Sequence, residues 1–255
     1  MTPSTMTIRL QHLVICLLMT HCVHGQSRGP DPQAGYVYPA GACRNSTVEI
    51  LAGGQNIRNT NAVLVTGQGV EARVIKTYRA FRNLDQDQRA LMQWRIACRR
   101  AQLAGKPVPP EPKPTATTPD GKPVASITLP DMPFIDRLET LDEPGITSEL
   151  TVFQRRDRQQ PSPQLGEMVR IEVKVAADAE PGVRELRLAG PQGLSNPLRF
   201  EIGALPEIAE REPNEPTRPT AAKLPPAPRA PCTFNGQIQS GDVDVFRFHA
   251  NRGAN

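Results

Sequence analysis

Val169, Ile171, Val173 and Val175 alternate strictly with Arg170, Glu172 and Lys174. A period of two sends every apolar side chain to one face of a strand and every charge to the other. The segment therefore needs a second apolar layer against its inner face, while its outer face stays in water. Leu198-Arg199-Phe200-Glu201-Ile202 repeats the pattern, Leu186 and Leu188 share a face, and Gly190-Pro191-Gln192-Gly193 supplies the turn chemistry between these two strands. Upstream, Thr47 to Leu51 reads as a strand running into Gly53-Gly54-Gln55-Asn56. Ala62 to Thr66 and Val70 to Ile75 then flank a Gly67-Gln68-Gly69 turn, giving an expected three-stranded meander.

The middle of the chain breaks this rhythm. Leu84, Leu91, Trp94, Cys98 and Ala101 recur at helical spacing, with Asp85 and Asp87 near the start, Arg95, Arg99 and Arg100 near the end, and Gly105 and Pro107 as a stop. Lys106 to Pro123 is a proline-rich loop. Phe134, Leu138 and Leu141 suggest a second, short helix, extended beyond Pro144 by Leu150 and Phe153, before Pro161 and Pro163 return the chain to β structure. The expected fold is mainly β: an immunoglobulin-like β-sandwich over residues 36–203 with an α-helical insertion at 78–163. A proline-rich linker (204–231) and an incomplete second β-sandwich (232–255) follow, the latter with strands at Phe234 to Ile238 and Val243 to Phe248.

The first 25 residues carry Arg9, an apolar run from Leu13 to Met19 and a Val23-His24-Gly25 ending, the pattern of a signal peptide cleaved before Gln26. The apolar run is shorter than the roughly 20 residues a membrane span needs, so export to the periplasm, cell surface or medium is expected, with no membrane partner after cleavage. Cys22 lacks the small preceding residue of a lipidated cysteine. Residues 26–35 read as a flexible arm.

Removal of the leader takes His12, His21 and His24 and leaves His249 alone. That excludes a multi-histidine metal cluster, and any Ser/His or Cys/His relay would rest on a single residue. Losing Arg9 lowers the formal charge from +4 to +3. Such mild basicity, without a clustered basic face, does not point to nucleic acid. Cys43, Cys98 and Cys232 form no C-x-x-C pair, and read as small buried hydrophobes or one incidental disulfide rather than a zinc or redox centre.

Pro39-Ala40-Gly41, Thr47-Val48-Glu49-Ile50 and Gly53-Gly54-Gln55-Asn56-Ile57, closed by Gly182 to Leu188 and Gly193 to Leu198, resemble an IPT/TIG-type immunoglobulin-like domain. Glu212-Pro213-Asn214, followed by Asn235-Gly236-Gln237-Ile238 and Gly241-Asp242-Val243-Asp244-Val245-Phe246, is similar to the beginning of a bacterial pre-peptidase C-terminal (PPC) domain, with the motif starting near residue 210. The resemblance implies accessory work in a secreted, modular bacterial protein: spacing, or recognition of a protein or polysaccharide surface. It also implies calcium at Glu210, Glu212, Asn214 and Asp242, with Asp244 on the same strand face as Asp242. Hard oxygen donors suit that ion. Glu215 stands where an aspartate is more usual, and a solvated acidic linker with turn-capping aspartates accounts for the same residues.

Other motifs are weaker. Gly67-Gln68-Gly69-Val70-Glu71-Ala72 matches a dinucleotide fingerprint, but Arg73 to Thr77 is β-like where a helix is required. Gly193-Leu194-Ser195-Asn196-Pro197 has a proline where a nucleophile elbow needs glycine. Asn45-Ser46-Thr47 is a formal glycosylation sequon, and Arg155-Arg156-Asp157-Arg158 reads as a solvated loop face. No catalytic residue or cofactor is assigned. The expected function is a non-catalytic secreted modular protein. The alternatives are the N-terminal accessory part of an exported peptidase or other hydrolase whose catalytic domain lies beyond residue 255, and a calcium-stabilised matrix-binding protein.

Overall fold

The computed structural model describes residues 29–80, 83–115, 117, 120, 126–158, 162–214, 227–238 and 243–253, with side chains left out at 155–158 and 163. The expected signal peptide (residues 1–25) lies outside them. The alternating segment is β6 (Glu167–Val175), at the heart of a four-stranded antiparallel sheet. Its neighbours are β3 (Ser46–Gln55) on one side and β5 (Val70–Tyr78) on the other, with β1 (Gln33–Tyr38) beyond β3. The facing sheet runs β2 (Gly41–Cys43), β9 (Leu198–Gly203), β7 (Gly182–Gly190), β4 (Ala62–Val65), with β8 (Gly193–Leu194) paired to β7. The core is what alternation demands: Val169, Ile171 and Val173 from one sheet meet Leu186, Leu188 and Phe200 from the other, all fully buried. The chain is thus a two-sheet β-sandwich.

Two sequence expectations for the sandwich are corrected. The arm does not run to residue 35, because β1 begins at Gln33. Asn196 holds it there, its side-chain oxygen accepting the Ala34 N–H at 2.8 Å and its amide donating to the Ala34 carbonyl at 2.9 Å. Nor do the early strands form a meander. β3 and β5 lie in one sheet while β4 pairs β7 in the other, so the Gly67–Gly69 turn, with φ +85° and +77° at its glycines, crosses between sheets.

Between β5 and β6 stands the helical layer. α1 (Gln86–Leu103) opens with a capping box in which Asp85 accepts the Gln88 N–H at 2.8 Å and Gln88 accepts the Asp85 N–H at 3.1 Å. α2 (Pro133–Arg137), a 3-10 turn (Leu138–Thr140) and α3 (Glu143–Arg158) complete it. Its own apolar core is built from Leu84, Met92, Ile96, Phe134, Leu138 and Ile146. Here the expected stripe is shifted: Met92 and Ile96 face the helical core, while Trp94, Cys98 and Ala101 are only half-buried. Asp136 of α2 fastens this layer to the sandwich, accepting the Tyr78 hydroxyl at 2.9 Å and pairing with Lys76 at 2.8 Å. No helix among the described residues is long and apolar enough to cross a membrane.

Beyond β9 the linker does not begin as coil. β10 (Glu207–Ala209) pairs in parallel with β11 (Thr233–Asn235). The expected hairpin of Phe234 to Ile238 with Val243 to Phe248 is replaced, among the described residues, by this short ladder and an isolated parallel bridge between Arg229 and His249, and its Ser240-Gly241 turn lies outside them. The physical reason is contact with what precedes: Tyr38 of β1 donates its hydroxyl to the Asn235 carbonyl at 3.3 Å, and Arg211 pairs with Asp142 at 3.1 Å.

Candidate functional site

The β10–β11 ladder places the site. Glu210, one residue past β10, continues the pairing by donating its N–H to the Asn235 carbonyl at 2.8 Å. Its Oε1 accepts the Gln237 N–H at 2.6 Å, so the carboxylate is turned toward the C-terminal segment. There Asp244 approaches, and Gly236 makes the approach possible. A Cβ on Gly236 would stand 3.0 Å from Glu210 Oε2 and 3.1 Å from Asp244 Oδ2, so a side chain would fill the gap between the two carboxylates.

Glu212 and Asn214 follow Glu210 on the same segment. The Glu212 N–H donates to Ser148 Oγ of α3 at 2.9 Å, and its Oε2 accepts the Asn214 N–H at 3.2 Å. Both side chains are buried, Glu212 to 5% exposure and Asn214 to 2%. Oxygens of Glu210, Glu212 and Asp244 all lie within 4.8 Å of one another.

The electrostatics of this cluster are unbalanced. Glu210 Oε2, Asp244 Oδ1 and both side-chain atoms of Asn214 are buried without a hydrogen-bond partner. Unsatisfied buried acceptors are costly, and buried carboxylates more so. Burial, then the charges of Asp244 and Glu212, push the Glu210 carboxyl up to about 7, against the Gln237 N–H that favours its ionised form. Burial and the Glu210 charge likewise push the neighbouring Tyr38 phenol well above its ordinary value.

Oxygen-only donors, three of them anionic, match the needs of calcium rather than of zinc. Two oxygens on opposite sides of a calcium ion, each at about 2.4 Å, lie about 4.8 Å apart, so three oxygens within 4.8 Å of one another are close enough to share one ion. The residues present therefore fit such an ion. Glu210, Glu212 and Asp244 come together across the proline-rich spacer, with the Asn214 backbone N–H on Glu212, whereas Asp242 and Glu215 lie outside the described residues. Ser148 carries no signal in sequence, and Gly236 and Gln237, though part of the quoted motif, show no role at the site there, since only tertiary approach brings them to the carboxylates.

The remaining motifs are accounted for locally. Ser195 is 1% exposed, its Oγ accepting the Leu188 N–H at 3.0 Å and donating to the Asn196 carbonyl at 2.8 Å, so the hydroxyl pins a loop. The Gly67–Gly69 turn leads into β5, without a helix to meet a phosphate. Cys43, Cys98 and Cys232 are free, half-buried thiols. His249 is exposed and engages the chain through its backbone, its N–H donating to the Pro228 carbonyl at 2.8 Å. Asn45 is exposed in a turn at φ +57°. Residues 155–158 lie at the end of α3 and not in a loop.

No protein-family model matches this chain, and no curated protein matches it in sequence.

Proposed function

We propose that the chain is a non-catalytic, exported modular protein whose sandwich and following segment are joined at a calcium-binding hinge. Its work is to space or present a surface to a protein or polysaccharide partner. The observation that carries this reading is the meeting of Glu210, Glu212 and Asp244 next to Asn214, whose buried side-chain amide has no hydrogen-bond partner. The IPT/TIG and PPC resemblances support it from the side of sequence.

The four residues would hold the ion with three carboxylates and one amide oxygen. When bound, calcium supplies the positive charge that the buried carboxylates lack. The chain's own residues orient the donors: Gln237 N–H turns Glu210, Ser148 Oγ anchors the Glu212 backbone, and Gly236 keeps the gap open. Because the donors come from both sides of the spacer and one anchor lies on α3, holding them together fixes the C-terminal segment against the helical layer.

Thermal unfolding of the full chain with excess calcium and with chelator tests the proposal. The melting temperature rises with calcium, by RT ln(1 + [L]/Kd) in free energy, or about 2.7 kcal/mol at a hundredfold excess over Kd. Identical curves in calcium and chelator would reject it.

A further inference from the structure

Asn235 is the hub of the corner that shapes the calcium site. Its carbonyl accepts the Glu210 N–H at 2.8 Å, and its side-chain amide donates to Glu207 Oε2. The next two residues, Gly236 and Gln237, keep the gap open and turn the Glu210 carboxylate. The position of this corner therefore decides where the donors stand. A group from the sandwich reaches the same point: the Tyr38 hydroxyl donates to the Asn235 carbonyl at 3.3 Å.

Tyr38 is held in place independently of the C-terminal segment. It ends β1, opposite Leu51 of β3, and β1 is an edge strand of its sheet. Its bond to the carbonyl is long for an O–H···O contact. The phenol also lies in the field of the Glu210, Asp244 and Glu149 carboxylates. Negative charge beside the phenol draws the hydroxyl proton toward itself and away from the carbonyl. A cation on Glu210 and Asp244 cancels that pull. Ion uptake and the hydroxyl bond then favour one arrangement, which is the condition for positive coupling between them.

We propose that Tyr38 is a positioning residue of the calcium site: through the Asn235 carbonyl it fixes the donor corner to the sandwich, so that ion uptake and the hold of β1 on the C-terminal segment reinforce one another. The inference rests on the calcium reading above and extends it. Ser148 and the Arg211–Asp142 pair tie the segment to the helical layer, whereas Tyr38 ties it to the sheet.

Tyr38→Phe keeps the ring and deletes the hydroxyl. Calorimetric titration of the full chain with calcium near pH 7.5 should give an affinity about fivefold weaker in this variant, the worth of one neutral hydrogen bond. Tyr36→Phe, on the same strand, should bind as the parent does. A second readout separates positioning from general loosening. At this pH the phenol keeps its proton, since burial and the Glu210 charge hold its ionisation well above the ordinary value. Calcium should therefore produce a tyrosine difference-absorption band through the changed field at the ring, retained in Tyr36→Phe and missing from Tyr38→Phe. Should Tyr38→Phe fail to fold, hydrogen exchange of the parent decides: calcium should slow the β1 amides together with those of residues 235–237. A parent that takes up no calcium would overturn the calcium reading and this inference together. Calcium uptake by the parent with equal affinity or an equal band in Tyr38→Phe, or protection of 235–237 with β1 unchanged, would overturn the role of Tyr38 alone.

Discussion

The carboxylates of Glu210 and Asp244 face one another across Gly236, each with a buried oxygen that no hydrogen-bond donor reaches. Two acceptors in such a position repel unless a proton or a cation stands between them. That pair concentrates the tension of the site, and replacing one member tests it.

Glu210→Gln removes one charge while keeping the shape. In chelator at pH 8 the variant should melt about 2–4 °C above the parent, the shift that about 1 kcal/mol produces in a chain of this size. It should also lose the stabilisation by calcium. A variant that melts lower in chelator, or keeps the full calcium response, would contradict the assignment.

The same carboxyl gives a pH signature. Its folded-state value near 7 lies above its ordinary 4.5, so the native chain holds a proton that the unfolded chain releases in between. The associated stability is fully present below about 4.5 and is lost as pH rises through 7. Melting curves in chelator at pH 5.5 and 8 should differ in that direction for the parent, and the difference should shrink in Glu210→Gln.

Gly236→Ala tests the gap itself. The new Cβ would stand 3.0 Å from Glu210 Oε2, 3.1 Å from Asp244 Oδ2 and 3.0 Å from Phe246 Cζ. Calcium affinity should fall at least about tenfold, because donor placement in such sites is sensitive to shifts of about 1 Å. Calorimetric titration of the folded variant checks this.

How far the sequence foretold this arrangement depends on whether a feature is local. The alternation of Val169 to Val175 defined β6 and its buried face, since strand period and burial coincide there. Asp85 and Asp87 marked the start of α1 for the same local reason. The sheet switch at Gly67–Gly69 was not legible, because glycines at positive φ serve a hairpin and a crossover equally. The shift of the α1 stripe was hidden too. Trp94 and Cys98 belong to a second half-covered face, with the Trp94 indole N–H donating to the Pro109 carbonyl at 2.9 Å, and helical spacing cannot say which face meets the core. At the site, Glu210, Glu212 and Asn214 stand close in sequence and were readable as donors. Ser148 and Gly236 were not, since they join only through packing.

Asp136 holds the helical layer to the sandwich through the fully buried Tyr78. Asp136→Ala leaves the Tyr78 hydroxyl without its acceptor and should destabilise the fold by about 1–3 kcal/mol. Burial alone would raise the Asp136 carboxyl, but its bonds to Lys76 and Tyr78 outweigh that and hold it below its ordinary value of 3.8. The stability it provides is present above that value and disappears as pH falls through the lower, folded-state one. Acid unfolding of the parent should therefore show a steeper limb than that of Asp136→Ala.

The most direct test of the calcium hinge is isothermal titration calorimetry of the full chain with calcium near pH 7.5, beside Asp244→Asn and Glu210→Gln. One ion per chain should bind the parent, with binding reduced at least tenfold in each variant, because each removes an anionic ligand from the site. A parent chain that takes up no calcium, or variants that bind it as tightly as the parent, would contradict the account.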